Sequence, residues 1–290
     1  MKLISILIAL ALEYFLGSLD HIRNFDWFDR YGRTFELRFS RYPYWDGPAG
    51  VIFTLLWPVL ALLLVAYLLA SVSPILVFIL GIAVFVYCLG PDLNTLLHHY
   101  AVAVKEDSDE DRLRLEEALG LESVSAPPGE EAALEAMLLR SHENIFAILF
   151  WFVLLGMTGT GALLYRLVVR LERSYGGIHG GYAEAVRNLH RIMMWPSARL
   201  LALSFGLSGS MMHALESWRG VTGHSLDCSA DVISHSGMGA LQYESGQANG
   251  DEVDDVHYAE WIDEIRGLIN RTLIVWLTGL GIMTIGGFLR

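Results

Sequence analysis

The sequence predicts an all-α integral membrane protein with about five transmembrane helices and further amphipathic or re-entrant helices. Three observations carry this. The 290-residue chain is 53% hydrophobic and only 18% charged, with a mean hydropathy of +0.42. Soluble domains rarely combine these values. Long apolar runs recur at 51–69, 75–89, 145–164 and 269–289, the last opening beside Arg271. The run 145–164 has no charge, and at about 1.5 Å per residue it measures roughly 30 Å, the thickness of a bilayer's hydrocarbon core. It begins after Ser141-His142-Glu143-Asn144 and ends at Arg166, Arg170 and Arg173, so it has a polarity.

Taken in order, residues 4–16 form a short apolar helix carrying Glu13. It reads as a retained first segment rather than a cleaved signal, because no small-x-small cleavage site follows. The next stretch mixes Trp27, Phe28 and Tyr31 with Arg23, Arg30, Arg33, Arg38 and Arg41. That composition suits a segment at the headgroup level. Residues 51–69 carry Pro58, which predicts a kink. Ser73-Pro74 marks a tight turn. The run 75–89 is expected to continue as helix to about Val104.

Residues 105–140 form an acidic polar loop with two amphipathic helices on the membrane surface, broken at Ala126-Pro127-Pro128-Gly129. Residues 166–268 form a large polar segment between the fourth and last runs. Within it, Gly176-Gly177-Ile178-His179-Gly180-Gly181 is a joint and not a phosphate loop, since the Gly-Lys-Ser/Thr ending is missing. A helix is expected over 182–194 and another from Trp195 to about Leu215. The stretch 200–212 reads as buried or re-entrant because it is short and rich in small residues. Residues 231–241 read as a short helix. The whole chain, 1–290, is taken as one membrane domain. Five crossings would put the loop after the first run and the acidic loop on one side, and 166–266 on the other. The positive-inside count nearly ties between them.

The net charge of −12 excludes nucleic acid as a partner. Cys88 and Cys228 read as free thiols. The expected partners are the bilayer and a small anionic ligand, with a homo-oligomer or a membrane partner protein left open. No cofactor can be named.

Candidate ligand-binding residues are Glu13, Glu143, Asn144, Tyr165, Arg166 and Arg199. A carboxylate inside an apolar run needs a partner, and for Glu13 that is Arg23 or Arg199, unless it sits at the headgroups. Arg199 follows Pro196 at a predicted helix start, where a guanidinium suits a phosphate or carboxylate. Glu143 and Asn144 stand at the mouth of the fourth run. His98 and His99 are adjacent, so their side chains diverge by about 100° on a helix, which does not favour one shared metal. His224, Asp227, Cys228, Asp231 and His235 form a loose set of mixed ligand types, a weak pattern for a metal. No catalytic residue is assigned.

The wording of the fourth run, Phe146-Ala147-Ile148-Leu149-Phe150-Trp151-Phe152 through Gly156, Gly159, Gly161 and Tyr165-Arg166, resembles the AmpE proteins and, more distantly, the CobD/CbiB membrane proteins. Pro196-Ser197-Ala198-Arg199-Leu200 resembles the family's Pro-Ala-Arg-Leu signature, and Gly237-Met238-Gly239-Ala240-Leu241 a late Gly-Ala-Leu segment. The resemblance implies a CobD/CbiB-like fold in a bacterial inner membrane. It implies either of two functions. One is a sensor or transducer linked to β-lactamase regulation and cell-wall recycling. The other is an enzyme, ATP- or phosphate-dependent, joining an amino-alcohol phosphate to a corrinoid carboxylate. A corrinoid or nucleotide substrate would suit a cytoplasmic 166–266 segment. Where the cobamide enzymes carry an Asn-Thr-Leu-Asp stretch after the fourth-run tyrosine, this chain has Arg166-Leu167-Val168-Val169. Where they carry an acidic pair before Pro-Ala-Arg-Leu, it has Arg191-Ile192-Met193-Met194. These departures favour the non-enzymatic sensor. A lipid-binding or carrier bundle is the third expectation, though no repeated pair of broken helices supports a carrier.

Overall fold

The computed structural model describes residues 2–16, 23–39, 41–42, 45–106, 108–119, 130–156, 158–175, 177–221, 226–243 and 255–287. His224, Pro43 and the 126–129 break lie outside them. All the regular secondary structure among the described residues is helical. In chain order they form α1 (Lys2–Leu16), α2 (Asp26–Phe39), α3 (Pro48–Val72), α4 (Pro74–Cys88) and α5 (Leu93–Lys105). Then come α6 (Asp109–Leu119), α7 (Glu130–Ser141), a π-helical turn (His142–Phe146), α8 (Ala147–Leu155) and α9 (Thr160–Tyr175). The last are α10 (Gly181–Ser208), α11 (Met211–Gly220), α12 (Ser229–Leu241) and α13 (Asp255–Ile285). Among the described residues four segments are long and apolar enough to cross a membrane: Pro48–Val72, Pro74–Lys105, Glu131–Leu155 and His257–Ile285. The apolar part of α1, Leu3–Glu13, is shorter.

The chain divides into two compact units, one of residues 1–90, 147–195 and 283–290, the other of 91–146 and 196–282. In the first unit, α3 and α4 form the expected hairpin. Ser73 serves both helices: its N–H donates to Leu69 O at 2.9 Å, and its hydroxyl accepts from the Ile75 N–H at 3.3 Å. Pro74 follows as the first residue of α4, where its missing N–H costs nothing. Leu56, Leu60, Leu63, Leu64 and Tyr67 along α3 are exposed, the apolar surface expected of a helix facing lipid.

The fourth run departs from the sequence expectation. Residues 145–164 are not one straight helix. α8 stops at Leu155, and the chain reverses through Gly156 (φ 106°) and Gly159 (φ 76°). Both backbone conformations are ones that side chains other than glycine's resist. α9 then turns back on α8 so closely that a Cβ at Gly161 would lie 2.1 Å from Trp151 O. A Cβ at Gly159 would lie 2.6 Å from the Val84 side chain, in the C-terminal third of α4. The reversal departs from the expected sidedness, which set 166–266 across from the loop after the first run, and leaves Glu131–Leu155 as the span that ends at the turn. Arg170 on α9 pairs with Asp29 at 3.1 Å, the Tyr175 hydroxyl donates to Glu36 at 2.8 Å, and the Tyr182 N–H donates to Asp46 at 2.7 Å. The residues just before α3 therefore lie beside residues 170–182, not across a membrane from them.

α4 ends earlier than expected. Asp92 caps α5, accepting from the N–H groups of Asn94 and Thr95 at 3.1 and 3.4 Å, and this local competition breaks the helix between Cys88 and Leu93.

In the second unit, α7 is no surface helix. Ala133, Leu134, Met137 and Leu138 are buried, and α12 packs on α7, where Gly237 lies under Leu138. α10 runs unbroken through Pro196 and ends at Ser208, so 182–194 and the following stretch are one helix and not two. It also ends short of Leu215: the Ser210 N–H donates to Ala240 O at 2.9 Å, and α11 starts afresh. α12 matches the helix expected over 231–241.

Candidate functional site

The six sequence-derived candidates divide between the units. Glu143, Asn144 and Arg199 belong to the second, Glu13, Tyr165 and Arg166 to the first.

In the second unit the organising feature is the π-helical turn. One extra residue in the helical repeat alters the direction of the side chains around it, and such turns recur at functional sites. His142 and Asn144 are buried here. His142 Nε2 shares a 2.8 Å hydrogen bond with Ser197 Oγ on α10, both side chains fully buried. Glu143 is about one-fifth exposed and pairs with Arg140 at 3.0 Å. The same arginine donates to Leu119 O at 2.8 Å, closing the end of α6. Two residues past Ser197, Arg199 donates to Ser229 Oγ at 2.9 Å at the start of α12. Burial pulls the Arg199 guanidinium down from its usual value, with Cys228 opposing the shift. The unit thus holds a fixed cation, a buried imidazole and hydroxyls from α10 and α12. Sequence reading found Arg199, Glu143 and Asn144 but missed His142, Ser197 and Ser229. Signals pointed to two of them: His142 adjoins Glu143, and Ser197 lies inside the Pro-Ser-Ala-Arg-Leu motif itself.

Asp227, Cys228, Asp231 and His235 do not come together as a metal site. Among the described residues no group of three or more His, Cys, Asp or Glu side chains is placed to hold a metal ion. His235 Nδ1 instead lies 2.9 Å from its own helix's Asp231 O. Neither Cys88 nor Cys228 is in a disulfide.

In the first unit Glu13 finds Arg23, one of its two expected partners, at 2.6 Å. The Arg23 side chain is only 5% exposed. Its other donors go to Val86 O, at 3.2 Å, and Gly90 O. Those carbonyls end α4, so Arg23 is at once an ion-pair partner and a helix cap. Arg166 stands over the Phe25 ring at 5.8 Å, a cation–π distance. Tyr165 is buried, with the His190 ring 6.5 Å away.

A CobD/Cbib family model matches residues 6–232. A cobalamin biosynthesis protein CobD from Stutzerimonas stutzeri is 30% identical over 113 residues, covering 38% of this chain and 37% of that protein. Another, from Chromobacterium violaceum, is 37% identical over 93 residues, covering 30% of this chain and 28% of that protein. The chain therefore spans about a third of the length of these curated relatives. No solved structure matches. The likeness to AmpE proteins finds no support in these comparisons, and neither does the β-lactamase connection drawn from it. The match over residues 6–232, which takes in both the π-helical turn and the Pro-Ser-Ala-Arg-Leu motif, shows that the chain belongs to the CobD/Cbib family.

Proposed function

We propose that the protein acts in cobamide assembly at a bacterial cytoplasmic membrane, joining an amine-bearing small molecule to a corrinoid carboxylate as an amide. The observation that carries this reading is the family match over residues 6–232, supported by two relatives named for cobalamin biosynthesis. It replaces the sensor reading that the sequence departures favoured.

Amide formation from a carboxylate needs a leaving group on the acyl carbon, which a phosphoryl donor supplies. Both the carboxylate and the phosphoryl group are anions. Arg199 is the side chain best suited to hold either, because a planar guanidinium presents paired donors to two oxygens. Ser229 holds that guanidinium in place, and the His142–Ser197 bond fixes α10 just before it. Glu143 and Asn144 supply acceptors and donors on the same π-helical turn. In this reading Arg199 binds and orients the anion, while His142, Ser197 and Ser229 position Arg199.

Complementation tests the proposal. A strain lacking its own CobD-type protein is made to grow only on cobamide it synthesises. Expression of this chain is expected to restore growth, and Arg199→Ala to lower the cobamide made by roughly ten- to a hundredfold, in line with one partly buried charge-assisted contact of about 1.5–3 kcal/mol. The Arg199→Ala protein should remain membrane-inserted at wild-type abundance. A wild-type chain that is made, inserted and unable to support growth overturns the reading.

A further inference from the structure

The corner between α2 and α3, in the first unit, holds an open groove of about 350 Å³ lined by Phe39, Tyr42, Trp45, Ala49, Gly50 and Phe53. It is built from rings. Phe39, at the end of α2, stacks on Trp45 at 5.8 Å and meets Phe53 of α3 edge-on at 5.4 Å. The chain closes over the start of α3 so tightly that a Cβ at Gly50 would lie 2.2 Å from Trp45 O. Trp45 also stacks on Tyr182 at 5.7 Å, and the Tyr182 N–H donates to Asp46 at 2.7 Å. The corner is therefore the surface on which α10 begins.

The lining restricts the occupant. Only Tyr42 and Trp45 among the six carry a polar side-chain atom, so a polar molecule from solution would give up its water for few partners. A hydrocarbon chain gives up none. The groove also continues into the apolar surface of a membrane span. Ala49 and Phe53 are followed, at helical spacing on the same side of α3, by Trp57, Leu60, Leu64 and Leu68, all exposed. The rim, by contrast, has charge of one sign. Residues 37–45 contain two arginines and no acid, in a chain whose net charge is −12. Arg38 and Arg41 are exposed and adjoin Phe39 and Tyr42 in the chain. The flanking acids are engaged elsewhere: Glu36 accepts from the Tyr175 hydroxyl and Asp46 from the Tyr182 N–H.

We propose that this groove binds an anionic phospholipid of the surrounding leaflet, one acyl chain lying across the rings and down α3, the phosphate meeting Arg38 and Arg41. Aromatic rings at the end of an apolar span mark the headgroup level of a bilayer. Arginines placed there draw anionic lipid. The bound lipid braces the corner that holds Tyr182, and with it the start of α10. The assignment does not depend on the cobamide reading, since it concerns the lipid around the first unit and not amide formation.

The test uses the full chain, delipidated in detergent and titrated separately with dioleoyl phosphatidylglycerol and dioleoyl phosphatidylcholine. Native mass spectrometry counts the bound lipid, and the thermal midpoint is a second readout. The wild type is expected to bind phosphatidylglycerol about tenfold more tightly, and to gain more in midpoint from it. Arg38→Gln/Arg41→Gln should bring the two affinities within about twofold of each other. Both side chains are exposed, so the lipid-free midpoint should match the wild type. Ala49→Trp, which fills the groove from an exposed position, should weaken binding of both lipids by about tenfold or more. Ala49→Ser leaves the groove open and should bind as the wild type does. Equal affinities in the wild type overturn the anionic assignment, as does a preference that survives loss of both arginines. Unchanged binding in Ala49→Trp overturns the groove. A dimer that excludes lipid and that Ala49→Trp dissolves gives the groove to a second copy of the chain, and it too overturns the proposal.

Discussion

Arg23 is almost wholly buried and carries a full charge, which is tolerable only because Glu13 and two helix-ending carbonyls surround it. Removing one member of such a pair leaves the other as an uncompensated buried charge. Glu13→Gln is therefore expected to cost about 3 kcal/mol and lower the thermal midpoint of detergent-solubilised protein. The double variant Glu13→Gln/Arg23→Gln should lose less than the sum of the two single variants. Additive losses would show that the two side chains do not interact. The sequence made Glu13 conspicuous, as a carboxylate in an apolar run, and it narrowed the partner to two arginines. It did not choose between them, because that choice depends on where α4 ends. Tyr31 gives a residue-scale pH effect. Its hydroxyl donates to Thr54 O at 3.1 Å, and burial, with Tyr182 adding, raises it from 10.0 to about 12. Below pH 10 the phenol is protonated folded or unfolded, and its contribution is complete. Between 10 and 12 only the folded form keeps the proton, so stability falls as pH rises through that window. Tyr31→Phe should flatten part of that fall when thermal midpoints are compared across the alkaline range.

At the scale of elements, the two glycines of the α8–α9 reversal differ in a measurable way. Both have positive φ, so alanine at either is strained by about 1 kcal/mol or more. Only at Gly159 would the added methyl also meet Val84. Gly159→Ala is expected to be the more destabilising by about 1–2 kcal/mol, read as the difference in detergent unfolding midpoints. Equal losses would mean that α4 yields at no cost. The helices themselves were largely legible. α3, α4 and the apolar half of α13 follow from apolar runs, and the α3–α4 turn from Ser73-Pro74. The reversal was not, because an apolar run looks the same whether or not it bends, and what bends this one is the dihedral angles of two glycines. The same limit applies at Pro196, which sequence placed at a helix start. The structure carries α10 through it. The buried face of α7 was also missed, since its partner α12 lies about a hundred residues away in sequence.

For the molecule as a whole, the reversal changes which parts of the chain share a side of the membrane. Arg38 stands in the last turn of α2 and Ile178 follows α9, and both are exposed. Single cysteines placed by Arg38→Cys and Ile178→Cys, in a background without Cys88 and Cys228, are expected to react with an impermeant maleimide from the same side of sealed vesicles. Labelling from opposite sides would restore a single crossing over 145–164. Half of the candidate site was legible at this scale: Arg199, Glu143 and Asn144 stand in the second unit with His142, Ser197 and Ser229. Tyr165, Arg166 and Glu13 belong to a different unit, a division that chain order hides because 147–195 is inserted between the two stretches of the second.

The glycine reversal also constrains how the protein is made. Residues 145–164 leave the ribosome as one uncharged run, long enough for the insertion machinery to treat as a finished crossing. The folded chain turns back halfway, with Leu163, Leu167, Val168 and Leu171 of α9 buried in a unit where its contacts are α3, α4 and α8. That surface exists only once the earlier hairpin is in place. An order of assembly is therefore expected: a chain arrested just after Tyr165 should hold a straight crossing, and the turn should form when the rest of α9 emerges and docks on α3 and α4.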